Sequence, residues 1–346
     1  MGRRILWASL GLAPVTIAVD RLTSAGDVTL FVLAAASLAP LAWLVGESTE
    51  HAAEHTGPGI GGFLNASFGN APELIIALFA IADDLPQVVR GSLAGSVISN
   101  LLLVYGITQI AGPDGARIDR RSLLVQVGLV GLAVLALVPV VSLGYTGDPE
   151  RHTAAVASIP VAVLLLIVYL TVVGRNLRRH RQRSRDDASE SAWPLSVALT
   201  ALAVGTTATA FVSEILVNSL DTFAESVGLS EFFLSIVVVA IVGNAAEHGG
   251  AIVIARNGKM RLATEIAISS SAQVALLIAP AVMLLSLLFA HPLPLTFRWI
   301  EIGVMGAAVV LVGATTWDGR SRRWEGAVLV AAYVVAAAIF YAAGNR

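Results

Sequence analysis

The chain has 346 residues, 56% of them hydrophobic and 13% charged, with a mean hydropathy of +0.79 and a formal charge of −2. A soluble domain of this size needs a far richer charged surface, and basic residues that sit between apolar runs rule out a nucleic-acid-binding face. The absence of cysteine excludes disulfides and thiolate metal sites.

A helix needs roughly 20 apolar residues to cross about 30 Å of hydrocarbon. Apolar runs bounded by charge or by Gly and Pro predict about eleven such spans. They fall at 5–20, 28–47, 60–82, 87–111, 122–144 and 153–174, then 194–220, 230–256, 261–290, 298–317 and 324–343. The first is short, contains Pro14 and follows Arg3 and Arg4; it reads as a retained helix, with a signal peptide as the alternative. The fold class is all-α integral membrane, with an N-terminal helix (1–27) and two five-helix repeats, 28–174 and 194–346. They are joined by a basic linker, 175–193.

Charge sets the expected orientation. With the N-terminus in the cytoplasm and the C-terminus outside, 17 of the 22 Lys and Arg fall on the inner side. They include Arg117, Arg120 and Arg121, six arginines from Arg175 to Arg185, and Arg256, Lys259 and Arg261. Only Arg21, Arg90, Arg151, Arg298 and Arg346 fall outside, which is the asymmetry of the positive-inside rule. The linker arginines read as topology determinants that also contact lipid headgroups.

The third and eighth spans share a signature, Gly69-Asn70-Ala71-Pro72-Glu73 and Gly243-Asn244-Ala245-Ala246-Glu247. Each is followed by a span with a polar stripe: Ser92, Ser96, Ser99 and Asn100 in one, Ser269, Ser270, Ser271 and Gln273 in the other. This ordered series predicts a duplication. Five helices is an odd number, so the second set enters from the opposite side and the repeats are inverted, a plan that puts transporter sites near the midplane.

An ionisable residue inside a span costs roughly 3 kcal/mol on insertion scales, so Glu73 and Glu247 default to function. Asn70 and Asn244 lie three residues earlier, on the same helical face. Two carboxylates with neutral oxygens suit a hard divalent cation such as Ca2+, and Gly69 and Gly243 let the backbone lend carbonyls or pack closely. The competing reading is a protonated Glu that merely hydrogen-bonds a neighbouring helix. A second acidic set lies nearer the span ends: Glu47, Glu50, His51 and Glu54, then Glu214, Asn218, Asp221 and Glu225. These read either as vestibules that attract cations and relay protons or as solvated helix ends. Glu50 and Glu214 rank first because they lie nearest the apolar stretches. His248, beside Glu247, and His55 are candidates for titration near neutral pH and so for a proton pathway, with packing or hydration the expected role of His55.

At these residues the chain resembles the calcium/cation–proton antiporter (CAX) family of the cation/Ca2+ exchanger superfamily. The segments that carry the resemblance are GPGIGGFLNASFGNAPELIIALFAI with VRGSLAGSVISNLLLVYG, and IVGNAAEHGGAIVIARNGKM with ATEIAISSSAQVALLIAP. The resemblance implies eleven helices and a cation site between the Gly-Asn helices. It implies Glu73 and Glu247 as ligands, assisted by Asn70, Asn244 and the Gln273 region, with Glu50 and Glu214 on the ion or proton pathway; Asn100, in the matching stripe, is a further candidate ligand. Eukaryotic members often carry an acidic helix between the repeats; here only Asp186, Asp187 and Glu190 are acidic.

The expected function is exchange of Ca2+ for H+ by alternating access across a prokaryotic plasma membrane. Calcium is the substrate, the proton is the counter-ion, and no cofactor is expected. A site holding one Ca2+ with two ionised glutamates, or two protonated ones, is neutral either way and can switch access, while an empty doubly charged site is expensive to move. Partners are the two ions and the bilayer, with a homo-oligomer open. The alternatives are a Na+/Ca2+ exchanger of the same superfamily, disfavoured by Gly-Asn motifs where those relatives carry a Gly-Thr-Ser pattern, an intramembrane metalloenzyme, which lacks an HExxH motif, and a channel.

Overall fold

The computed structural model describes residues 2–144, 151–180 and 193–344, so most of the basic linker, 181–192, lies outside the described residues. The chain begins with α1 (Gly2–Ser9), α2 (Leu12–Leu22), α3 (Asp27–Phe68) and α4 (Ala71–Ala82). The fourth span is α5 (Pro86–Ile98), a π-helical turn (Ser99–Val104) and α6 (Tyr105–Ala111) in continuous succession. A two-residue strand β1 (Ala116–Arg117), α7 (Arg120–Gly144) and α8 (Arg151–His180) complete the first half.

The second half starts with α9 (Leu195–Asn218) and α10 (Leu220–Val227). The eighth span follows as α11 (Glu231–Phe233), a π turn (Leu234–Val239), α12 (Ala240–Gly243) and α13 (Ala245–Arg256). The ninth is α14 (Met260–Gln273), a π turn (Val274–Ile278) and α15 (Ala279–Ser286). The chain closes with α16 (Trp299–Thr316), β2 (Arg320–Ser321) and α17 (Arg323–Ala343). The two strands pair antiparallel, Ala116 with Ser321 and Arg117 with Arg320, and tie together two turns of the basic face.

Among the described residues nine helices are long and apolar enough to cross a membrane. The number becomes ten if Leu220–Val227 and Glu231–Gly243, bent by 109° at their junction, form one span. The expected third span, 60–82, is not among them. No turn interrupts the helix between 47 and 60; helical hydrogen bonding runs on to Phe68 and the break comes at Gly69-Asn70. The remaining α4 has 12 residues, about 18 Å long, too short to cross alone. Side chains such as Leu135, Leu164, Val204 and Val334 are exposed on the spans, as hydrocarbon demands.

The chain forms two compact units. One comprises Met1–Phe79, Ile167–Val227 and Val242–Ala246; the other comprises Ala80–Leu166, Gly228–Ile241 and Glu247–Arg346. In the first unit α3 packs along α9, and Val45, Ala71 and Leu202 are buried together against Phe68 and Ile75. The buried hydroxyls of Thr16 on α2 and Ser37 on α3 bond at 2.8 Å, and Phe31 stacks on Phe223 at 4.1 Å. In the second unit α5 lies against the π turn of the eighth span. A β-carbon on Gly95 would stand only 2.0 Å from the Ile236 carbonyl oxygen, so that crossing requires glycine.

Candidate ion-exchange site

Both Gly-Asn-x-x-Glu motifs break their helices in the same way. α3 ends at Phe68 and α4 starts at Ala71; α12 ends at Gly243 and α13 starts at Ala245. Each Asn therefore sits at the boundary and each Glu is the third residue of the new helix. Asn is a preferred N-cap residue, and the Asn70 carbonyl accepts the Leu74 amide at 3.2 Å, as a cap does. Pro72, lacking an N–H, fits a first turn whose amides have no intrahelical partner. The positive end of each half-helix favours an anionic Glu there.

Asn70 (0% exposed), Asn244 (1%) and Glu73 (8%) are buried. Within the first unit, a β-carbon placed on Gly243 would stand 3.6 Å from Cγ and 3.7 Å from Oε1 of Glu73. The Gly-Asn break of the second repeat thus lies against the carboxylate of the first.

The second unit holds a hydrogen-bonded chain around Glu247. His248 Nε2–H donates to Asn100 Oδ1 at 2.9 Å, and Asn100 Nδ2 donates to Ser270 Oγ at 3.0 Å. The Ser270 hydroxyl in turn bonds the Glu247 carboxylate. The other oxygen of Glu247, Oε2, is buried and has no hydrogen-bond partner among the described residues. Asn100 is the second residue of one π turn and Gln273 immediately precedes another, so the two polar stripes end at matching wide turns. Such turns are rare and gather at functional sites.

The peripheral carboxylates differ in their exposure. Glu50 is exposed, while Glu47 is partly buried with Oε1 3.7 Å from His51 Nε2. His51 stacks on Trp193 at 4.6 Å, and His55 Nε2 lies 2.6 Å from the Trp193 carbonyl oxygen. His55 thus helps to hold the exit of the linker. Glu54 is exposed. Glu214, 39% exposed, lines a cavity of about 170 Å3 with Asp20, Arg21, Asp27 and Asn218, and Arg21 stands 4.0 Å from it. Asp20 and Asp27 escaped the sequence reading because each is ordinary at a helix end and only the packing of α2 and α3 against α9 gathers them. Among the described residues no group of three or more His, Asp or Glu side chains is arranged to hold a metal ion.

Comparisons with known proteins point to one family. The model of the family described as sodium/calcium exchanger protein matches residues 27–177 and 197–342. The chain is similar to the Ca2+/H+ antiporter ChaA of Bacillus subtilis, 36% identical over 326 residues that cover 90% of this chain and 92% of that protein. It is also similar to a Ca2+/H+ antiporter of Aphanothece halophytica, at 34% identity over 91% of this chain and 90% of the relative. The solved structure of native YfkE superposes with a TM-score of 0.84 at 33% identity, covering 97% of this chain and 99% of its own. An H+/Ca2+ exchanger CAX, 14% identical, shares the fold with a TM-score of 0.77 over 99% of this chain and 92% of its own. With the family model matched over residues 27–177 and 197–342, most of its length, the chain belongs to the sodium/calcium exchanger family of membrane proteins.

Proposed function

We propose that the chain is a Ca2+/H+ antiporter whose two transport carboxylates are Glu73 and Glu247. The observation that carries this reading is Gly243 against the Glu73 carboxyl, because it brings together the two motifs that the duplication predicts will meet. Relatives named Ca2+/H+ antiporter, matched over most of their length, support the choice of ions.

Calcium needs both carboxylates ionised, with neutral oxygens from Asn70, Asn244 and the Gln273 region and backbone carbonyls at the Gly69 and Gly243 breaks completing its shell. Two protons neutralise the same pair when the metal leaves. Asn100, with both amide groups engaged, acts by positioning: it holds His248 on one side and, through Ser270, Glu247 on the other. Glu214 and its acidic cavity attract cations at the outer face, and Glu47 does so at the inner one. A proton gradient then drives calcium out of the cytoplasm, with the N-terminus inside.

The test is 45Ca uptake into everted membrane vesicles driven by a pH gradient in Na+-free medium. The native protein takes up calcium, while Glu73→Gln and Glu247→Gln each abolish uptake. Uptake that requires Na+ rejects the proton-coupled reading, and unaltered exchange in both variants rejects the site.

A further inference from the structure

Glu265 lies on α14, inside the candidate span Met260–Ser286, and has no part in the site above. The side chain joins a polar ladder that begins at the basic face. Arg261 donates to Asp119 Oδ2 at 2.8 Å, and Asp119 Oδ1 accepts the Ser122 amide at 3.2 Å. Ser122 Oγ accepts from Gln126 Nε2 at 3.2 Å, and the same nitrogen donates to Glu265 Oε2 at 3.1 Å. Gln126 Oε1 is buried with no hydrogen-bond partner among the described residues. From Glu265 the polar face continues at four-residue steps through Ser269 to Gln273. All three are partly exposed, while Ala263, Thr264, Ala267, Ile268 and Ser271 are buried.

Aligning Asn100 with Gln273 places Ser92 opposite Glu265 and Ser96 opposite Ser269. On this face the first repeat carries Ser, Ser and Asn and the second Glu, Ser and Gln, so a hydroxyl in the first half stands where the second has a carboxylate. In an inverted pair the α5 stripe runs toward the outer face and the α14 stripe toward the basic, inner one. Only the inner stripe can exchange a proton. The charged groups on the elements packed against α14 do not cancel that carboxylate. Arg261 is bonded to Asp119, Arg120 lies over Trp317 at 4.5 Å, and Arg117 and Arg121 sit at the basic surface. Arg90 stands at the far end of α5, bonded to the Thr296 carbonyl, and α13 contributes Glu247 and His248.

We infer that Glu265 is the inner-face proton relay of the exchange reaction, held in place by Gln126; this rests on the antiporter reading above. As calcium displaces a proton from the transport carboxylates, the Glu265 carboxylate accepts that proton and releases it to solvent at the basic face, ending the cycle ionised as it began.

The experiment is 45Ca uptake into everted vesicles by the native protein, Glu265→Gln and Glu265→Asp, with the medium and lumenal pH varied separately. Glutamine still bonds Gln126, so a purely structural role survives that substitution. The relay predicts that Glu265→Gln loses on the order of 10–100-fold in rate at saturating calcium. It further predicts a flattened dependence on medium pH, an unchanged dependence on lumenal pH, and recovery of both rate and profile in Glu265→Asp. A native rate and native medium-pH profile in Glu265→Gln overturns the relay, as does loss of equilibrium 45Ca binding by the purified variant, which would make Glu265 a ligand or a folding residue. Na+-dependent uptake by the native protein is the separate outcome that removes the antiporter reading and the relay with it.

Discussion

Replacing Gly243 tests the contact on which the proposed site depends. A β-carbon there meets Glu73 Cγ at 3.6 Å, Oε1 at 3.7 Å and Cδ at 3.8 Å, all ordinary van der Waals separations, so Gly243→Ala is accommodated. Valine adds two carbons about 1.5 Å beyond that β-carbon, and in a helix its χ1 is largely confined to one rotamer. One methyl group then falls well inside the roughly 3.5 Å optimum for carbon contact, and the Glu73 carboxyl must swing away. Losing one charged ligand costs about 1.5–3 kcal/mol, or roughly 10–150-fold in affinity at 1.4 kcal/mol per decade. The assay is the half-saturating calcium concentration for uptake driven by a pH gradient, with the thermal midpoint measured in parallel. Gly243→Val should raise that concentration by this factor, and Gly243→Ala by less than about threefold. Native affinity in a stable Gly243→Val protein would show that Glu73 does not bind calcium where Gly243 faces it.

Gly95→Ala should destabilise the second unit by about 1–3 kcal/mol, because its methyl would lie 2.0 Å from the Ile236 oxygen and 2.7 Å from Ala240 Cβ; an unchanged thermal midpoint would contradict that crossing. His248→Ala should cost about 1–3 kcal/mol by removing its buried bond to Asn100 Oδ1, and His248→Gln should recover part of it, both read from denaturation in detergent. Equal midpoints for the two variants would mean that the bond contributes nothing. At the basic surface the Ser122 amide, and then the Arg261 guanidinium, hold the Asp119 carboxyl below the usual carboxylate range. The advantage of the native protein over Asp119→Asn, under about 1 kcal/mol for so exposed a pair, should be complete above the unfolded value near pH 3.9 and vanish as the pH falls through the lower folded one. An advantage that grew in acid would refute the assignment.

The spans were legible because hydropathy and the scarcity of charge report the bilayer directly, and the duplication because Gly-Asn and Glu recur in order. The helix breaks at Asn70 and Asn244 were half-visible, since Gly beside Asn is a boundary signal that apolar flanks mask. The second and third spans, expected separately at 28–47 and 60–82, are joined by a helix that runs on to Phe68. That Glu50 is exposed and Glu47 partly buried was not legible, because helical phase, set by packing on α9, decides which carboxylate turns inward. The engagement of Asn100 by His248, 148 residues away in sequence, leaves no local trace. Nor do the π turns, whose sequences SNLLLV, LSIVVV and VALLI read as plain apolar helix. Glu265 was visible to the rule that singled out Glu73 and was eclipsed by the stronger motifs.

A wide turn carries one residue more than an α-helical turn needs, and that surplus can be handed along the helix a bond at a time. Each transfer swings the neighbouring side chains around the axis while nearly every main-chain amide keeps a partner, and in hydrocarbon a stranded amide costs several kcal/mol. The turns beside Asn100 and Gln273 therefore give their two helices a low-cost way to re-aim the groups facing the ions, with no need for either helix to unwind.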